Sequence, residues 1–213
     1  MARGSVRQLY YITHVDKVPS ILEHGILSHQ RVETAHVQYT PTYDDRIVAN
    51  RRQRQAPDGR SLWSFANLYF QPRNAMLYRV VFFERNADEI AIVAVRGDIL
   101  DRRDVLISEG NAAGPSSAML DKTEGLKAIS CMRDVLNQQW WREDDGSKRK
   151  MMAECLVPDR VPPELIEALY VASHAGADRV KALLPRSRLD VIPEPQMFFQ
   201  QSIKAELTGN PSC

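Results

Sequence analysis

Met151-Met152-Ala153-Glu154-Cys155-Leu156-Val157-Pro158 sets one carboxylate at the head of an apolar run that a proline then stops. Residues 155–157 read as a short strand, because Pro158 has no N–H to continue a ladder. A carboxylate among such neighbours is paired, hydrogen-bonded or functional, since burying it alone costs several kcal/mol. Similar β-rich runs predict strands at 9–13, 77–83, 90–95, 105–107, 165–172 and 189–192. Between them, Asp16 is expected to cap a short helix with Val18, Ile21 and Leu22 on one face, and Gly25 to end it. Residues 28–42 read as irregular. Asp44 and Asp45 are expected to cap a helix running through Arg54, closed by a turn at Pro57-Asp58-Gly59. Helical spacing covers 126–140 and 178–184, residues 110–117 are too small and polar for regular structure, and 142–150 form a charged turn or a helix start. Strands interleaved with helices, without βαβ spacing, predict an α+β fold. No Pro-, Gly- or Ser-rich linker divides the chain, so residues 1–213 are expected to form one domain, with a mobile tail from about 203.

The whole-chain balance limits what such a domain can do. Its 213 residues carry 28 Lys+Arg against 27 Asp+Glu, a net charge of +1, which excludes a polycation that coats duplex DNA. A local basic face stays possible, because patches set the field that a ligand meets. Three cysteines, Cys131, Cys155 and Cys213, lack the spacing of a disulfide framework or a zinc site and point to a reducing compartment. The N-terminal stretch does not read as a signal peptide, and no run reaches the roughly 18 apolar residues of a membrane span. A cytoplasmic protein is expected.

GxGxxG, P-loop, HExxH and GxSxG motifs are absent, and the five histidines show no metal-site pairing. Cys155 reads as a buried core residue rather than a nucleophile. Four segments carry more chemistry. Tyr10-Tyr11-Ile12-Thr13-His14 ends a strand in a hydroxyl and an imidazole, either to meet a ligand or to pack and cap. Asn50-Arg51-Arg52-Gln53-Arg54 lies in a stretch with five arginines between 46 and 60, either a solvated helix face or a phosphate-binding one. Helical spacing prevents Arg51, Arg52 and Arg54 from all pointing one way. Gln71-Pro72-Arg73-Asn74-Ala75-Met76-Leu77-Tyr78 reads as a loop entering a strand, and Glu154 completes the set.

In order and spacing these segments resemble the DarT family of DNA ADP-ribosyltransferase toxins, whose partner antitoxin DarG carries an ADP-ribose-removing macrodomain. The resemblance runs through YYITHVDKVPSILEHGIL, NRRQR, LYFQPRNAMLYRVV, SEGNAA, QQWWREDDGSKRKMMAECLV and ADRVKALLP. It implies an ADP-ribosyltransferase fold, a split antiparallel sheet with helices around an NAD⁺ cleft, and no metal. It implies Glu154 and Arg52 as catalytic residues, with Arg52 also on the nucleotide. Tyr11, Thr13, His14, Gly25, Met76, Leu77 and Tyr78 are the implied NAD⁺ contacts, Tyr11 standing where many relatives carry His. Arg46, Arg51, Arg54, Arg73, Lys148 and Arg149 are expected to line single-stranded DNA. The implied activity is transfer of ADP-ribose to a DNA base, blocking replication until a macrodomain antitoxin reverses it, by a chain expected to be monomeric. An RNA or protein acceptor, or a non-enzymatic nucleic-acid binder, are the other functions these residues allow.

Overall fold

A computed structural model describes residues 6–34 and 51–200. The expected caps Asp44 and Asp45, Arg46 and the tail from 203 lie outside the described residues. Strand β4 (Ile90–Arg96) explains the centre of the architecture: IAIVAV is apolar without alternation, so both faces of the strand must be covered. It pairs along its whole length with β1 (Gln8–His14), antiparallel from Gln8 opposite Arg96 to His14 opposite Ile90. On its other side lies β9 (Ile166–Val171), followed by β10 (Asp190–Pro193), the one parallel neighbour in an otherwise antiparallel sheet. The far half runs through β3 (Phe65–Tyr69), β7 (Glu154–Pro158), β5 (Leu106–Ser108) and β6 (Met119–Asp121). The halves meet at a single β1–β3 pair, Tyr10 opposite Tyr69. The sheet is therefore split beyond that pair, in an α+β fold.

One face is packed by α1 (Val18–His24), through Val18 and Ile21, and by the helix His174–Leu183, through Ala177 and Val180. Gly25 ends α1 at φ +84°, where a Cβ would lie 2.1 Å from the Val161 carbonyl oxygen, so both backbone shape and space require glycine. Val161 belongs to β8 (Arg160–Val161), which pairs with β2 (Ile26–Leu27) in a small second sheet. Asp16 does not cap α1. The imidazole of His14 instead accepts the Asp16 N–H at 3.2 Å, at the start of a 3₁₀ turn that leads into α1.

The other face is covered by residues expected to form a strand at 77–83. They form α2, here the helix Ala75–Arg79, which continues as one π-helical turn over Val80–Glu84. Asn74 decides this, its side-chain oxygen accepting from the N–H groups of Met76 at 3.0 Å and Leu77 at 3.1 Å. Leu77, Val80 and Val81 are buried at spacings of three and four, and Phe82 and Phe83 are exposed, which is a helical rather than an alternating pattern. The helix expected over 126–140 starts earlier, where Asp121 caps Lys122–Cys131, and ends after a last turn, Arg133–Leu136. His29–Thr34 is helical rather than irregular. No helix among the described residues is long and apolar enough to cross a membrane.

Candidate active site

Glu154 opens β7 between Tyr69 on β3 and Ser108 on β5, its direct partners in register. It is fully buried, and both carboxylate oxygens are engaged. Oε2 accepts a hydrogen bond from Arg51 Nη1 at 3.0 Å, and Oε1 accepts from the Ala112 N–H at 3.0 Å. The side chains of this ion pair are 7% and 1% exposed. Burial pulls the Arg51 pKa down, but the charge and hydrogen bond of Glu154 hold it above its ordinary value. Burial foremost, then the Glu154 charge, pushes the Tyr69 phenol up, so it is a neutral hydrogen-bonding group. Among the described residues, Nε and Nη2 of Arg51 are buried and have no partner.

The loop that supplies the Ala112 N–H is held at both ends by arginines expected on DNA. Arg149 Nη1 donates to the Glu109 carbonyl at 3.1 Å, and Arg54 Nη2 donates to the Ser117 carbonyl at 2.8 Å. Gly110 sits beneath Arg149, where a Cβ would approach the Arg149 Cγ and Ser117 Oγ to 2.7 Å. The SEGNAA segment therefore presents a backbone donor to Glu154, a role that no side-chain pattern announces.

Beside this locus the separating strands leave a cleft lined by Tyr11 and Thr13 of β1, Gly25, His29, and Phe65 and Asn67 of β3. Three expected nucleotide contacts, Tyr11, Thr13 and Gly25, come together here. His14 does not line it, because alternate residues of a strand face opposite sides and its ring caps the 3₁₀ turn. Met76, Leu77 and Tyr78 do not line it either. They pack on the other face with Ile12, Ile92 and Phe198, as the helical run under Asn74 requires.

The two arginines of the expected pair face different ways. Arg51, expected among the DNA contacts, is the one that turns inward to Glu154. Arg52 is exposed, its guanidinium 5.4 Å from the Trp63 ring centre and 3.8 Å from Glu33. Trp63 stacks on His29 at 4.3 Å between ring centres. Burial, reinforced by the Arg51 charge, lowers the His29 pKa to about 4, so the ring is neutral near pH 7. Arg73 lies away from the cleft, 4.3 Å from the Phe199 ring centre and 5.1 Å from that of Trp140. Lys148 pairs with Glu143 at 2.9 Å.

His29, Trp63, Asn67, Tyr69 and Ala112 were not expected in the site. The one available signal was Tyr69, a polar aromatic inside an apolar strand. Burial pushes the Cys155 thiol up to about 12, consistent with a core residue. Among the described residues, no three His, Cys, Asp or Glu side chains are grouped to hold a metal ion.

This arrangement suits chemistry at a cationic carbon: a fixed carboxylate, a buried guanidinium whose Nε and Nη2 have no partner among the described residues, and an adjoining cleft. A family profile described as "ssDNA thymidine ADP-ribosyltransferase, DarT" matches residues 10–199. A DNA ADP-ribosyl transferase–DNA ADP-ribosyl glycohydrolase fusion protein of Thermosipho africanus is 48% identical over 204 residues, 96% of this chain and 52% of its own length. The chain thus spans about half of that relative. The solved structure of Thermosipho africanus DarTG in complex with ADP-ribose superimposes with a TM-score of 0.85, over 91% of this chain and 51% of the other. Thermus sp. 2.9 DarT in complex with ADP-ribosylated ssDNA shares the fold, with a TM-score of 0.78 at 19% identity over 90% of this chain and 96% of that one. The chain belongs to the DarT family of single-stranded DNA thymidine ADP-ribosyltransferases.

Proposed function

We propose that this chain transfers ADP-ribose from NAD⁺ to thymine in single-stranded DNA, with Glu154 and Arg51 as its catalytic residues. The observation that carries this is the buried Glu154 carboxylate, held on one oxygen by Arg51 and on the other by the Ala112 N–H beside the cleft. The profile's description, and relatives solved with NAD⁺ and with ADP-ribosylated ssDNA, support the donor and acceptor.

Breaking the nicotinamide–ribose bond leaves positive charge at the anomeric carbon, as in glycoside cleavage. The bonding electron pair leaves with nicotinamide, which departs neutral. A fixed carboxylate stabilises that cation more than it does the ground state, which is the requirement for catalysis. The thymine ring nitrogen then forms the new bond to the anomeric carbon, and its proton passes to Glu154. Arg51 keeps the carboxylate aimed, and its Nε and Nη2, without a partner among the described residues, are donors for the pyrophosphate or the base. This replaces Arg52 in the catalytic role. Tyr11, Thr13 and Gly25 hold the nucleotide, and the target base must be unstacked, which favours a single strand.

The glycohydrolase half of the Thermosipho relative supports an ADP-ribose-removing macrodomain partner of the DarG type. The reading carries with it a monomer in the cytoplasm, where NAD⁺ and replicating DNA coexist. The two halves of the sheet, joined through the β1–β3 pair, support one domain across the described residues.

Glu154→Gln is the appropriate test, because it keeps a hydrogen-bonding side chain against Arg51. Incubation with NAD⁺ and single-stranded, duplex, RNA and protein acceptors, read by mass, should show ADP-ribose on single-stranded DNA for the wild type. The variant should lose about 10²-fold or more of that rate. Near-wild-type transfer by Glu154→Gln overturns the role of Glu154, and labelling of RNA or protein instead overturns the acceptor.

A further inference from the structure

Alternate residues of β1 divide two cavities. Tyr11 and Thr13 line the cleft, whereas Tyr10 lines a separate groove on the other side of the sheet. This groove has a volume of about 610 Å³ and continues into a hollow of about 410 Å³, the two sharing Tyr10, Phe70, Leu136 and Asn137. Its relation to the glutamate is fixed by backbone pairing. Tyr69 stands opposite Tyr10 on one side and Glu154 on the other, and the Phe70 N–H donates to the Ala153 carbonyl at 3.2 Å. The groove therefore starts beside the residue that precedes Glu154.

Arg7 and Arg133 line it and are exposed. Among the described residues, neither guanidinium makes a hydrogen bond or an ion pair, unlike Arg54, Arg73 and Arg149, which donate to the chain's own carbonyls. Glu167 also lines the groove, and one of its carboxylate oxygens accepts from the Gln8 amide. Free guanidiniums alternating with half-buried aromatic faces at Tyr10 and Phe70 are the combination that holds a single strand by phosphates and stacked bases.

We infer that this groove carries the DNA backbone flanking the target base, with Arg7 and Arg133 each taking a phosphate. The inference rests on the proposed DNA transfer and moves the strand away from most of the arginines first expected to hold it. The test is the double variant Arg7→Glu/Arg133→Glu, two exposed positions, with binding read by fluorescence anisotropy of a labelled oligonucleotide of about 16 nucleotides. Affinity should fall at least 10-fold, and the slope of log affinity against log salt should shrink by about 1.4, the share of two single-strand phosphates. The KM for DNA should rise while that for NAD⁺ holds. Wild-type affinity and salt slope in the variant, or no binding of single strands by either protein, overturns the groove. DNA modification indifferent to both arginines sinks the groove and leaves the function standing. Binding that depends on both arginines, without any mass gain on DNA, sinks the function and leaves the groove as a single-strand site.

Discussion

The Glu154 locus and the aromatic face around Tyr78 use burial in opposite ways. At Glu154, charged groups are taken fully out of water and satisfied one by one, by Arg51 and the Ala112 N–H. Around Tyr78, the rings of Phe82, Phe83, Trp141 and Phe199 gather at 4.7 to 6.0 Å, with Phe83 left 75% exposed. Such ring clusters stabilise by area and tolerate loose geometry. A buried ion pair is a poor source of stability, because desolvation offsets most of its attraction. Its position beside a cleft supports the catalytic role proposed for it.

That difference is most exposed by cutting the pair. Arg51→Ala or Glu154→Ala strands the other charge in the interior and should cost roughly 3–5 kcal/mol, measured by denaturant unfolding. The double replacement Arg51→Met/Glu154→Leu should recover most of that loss while remaining inactive, since two apolar residues of similar volume need no desolvation. Equal additive losses in the double variant would show that the pair is structural after all, no different in kind from the rings around Tyr78.

The comparison also separates what the chain discloses from what it conceals. The burial and pairing of Glu154 were legible, because a lone carboxylate at the head of an apolar strand must find partners. The central strand at 90–95 was legible from an apolar run with no alternation. The helix at 75–79 was not, because Leu77-Tyr78-Arg79-Val80-Val81-Phe82-Phe83 has strong β propensity and the Asn74 cap overrides it. Arg51 and Arg52 could not be told apart for a related reason. Adjacent helical residues point about 100° apart, so which one faces inward depends on the phase of a turn that sequence spacing leaves open. The Ala112 contact comes from a backbone N–H, which every residue but proline possesses.

A smaller effect tests how dry the cleft side is. The His29 pKa falls from 6.5 to about 4, chiefly through burial, so the folded state resists the proton that the unfolded chain accepts. Above about pH 6.5 this costs nothing; as the pH falls the unfolded state gains protons first, and stability drops until about pH 4, where the penalty is complete. The loss amounts to at most about 3 kcal/mol. His29→Phe, which keeps a ring against Trp63, should flatten the stability curve in this window when unfolding is followed across pH. An unchanged slope would mean that the ring is as hydrated as the exposed aromatics opposite.

The smallest expected change falls one residue from the largest. Arg52→Ala removes an exposed guanidinium whose nearest carboxylate, Glu33, is 3.8 Å away and whose ring contact, Trp63, is 5.4 Å away. Exposed pairs of this kind contribute about 0–1 kcal/mol, because water and salt screen them. Stability and transfer to DNA by Arg52→Ala should therefore stay close to wild type, against the collapse expected for Arg51→Ala. Lost transfer with stability intact would return the catalytic grip to Arg52 and leave Arg51 as a support for Glu154. The boundary between the two kinds of burial would then pass outside Arg52, because an exposed side chain would be completing the site only once a ligand is bound.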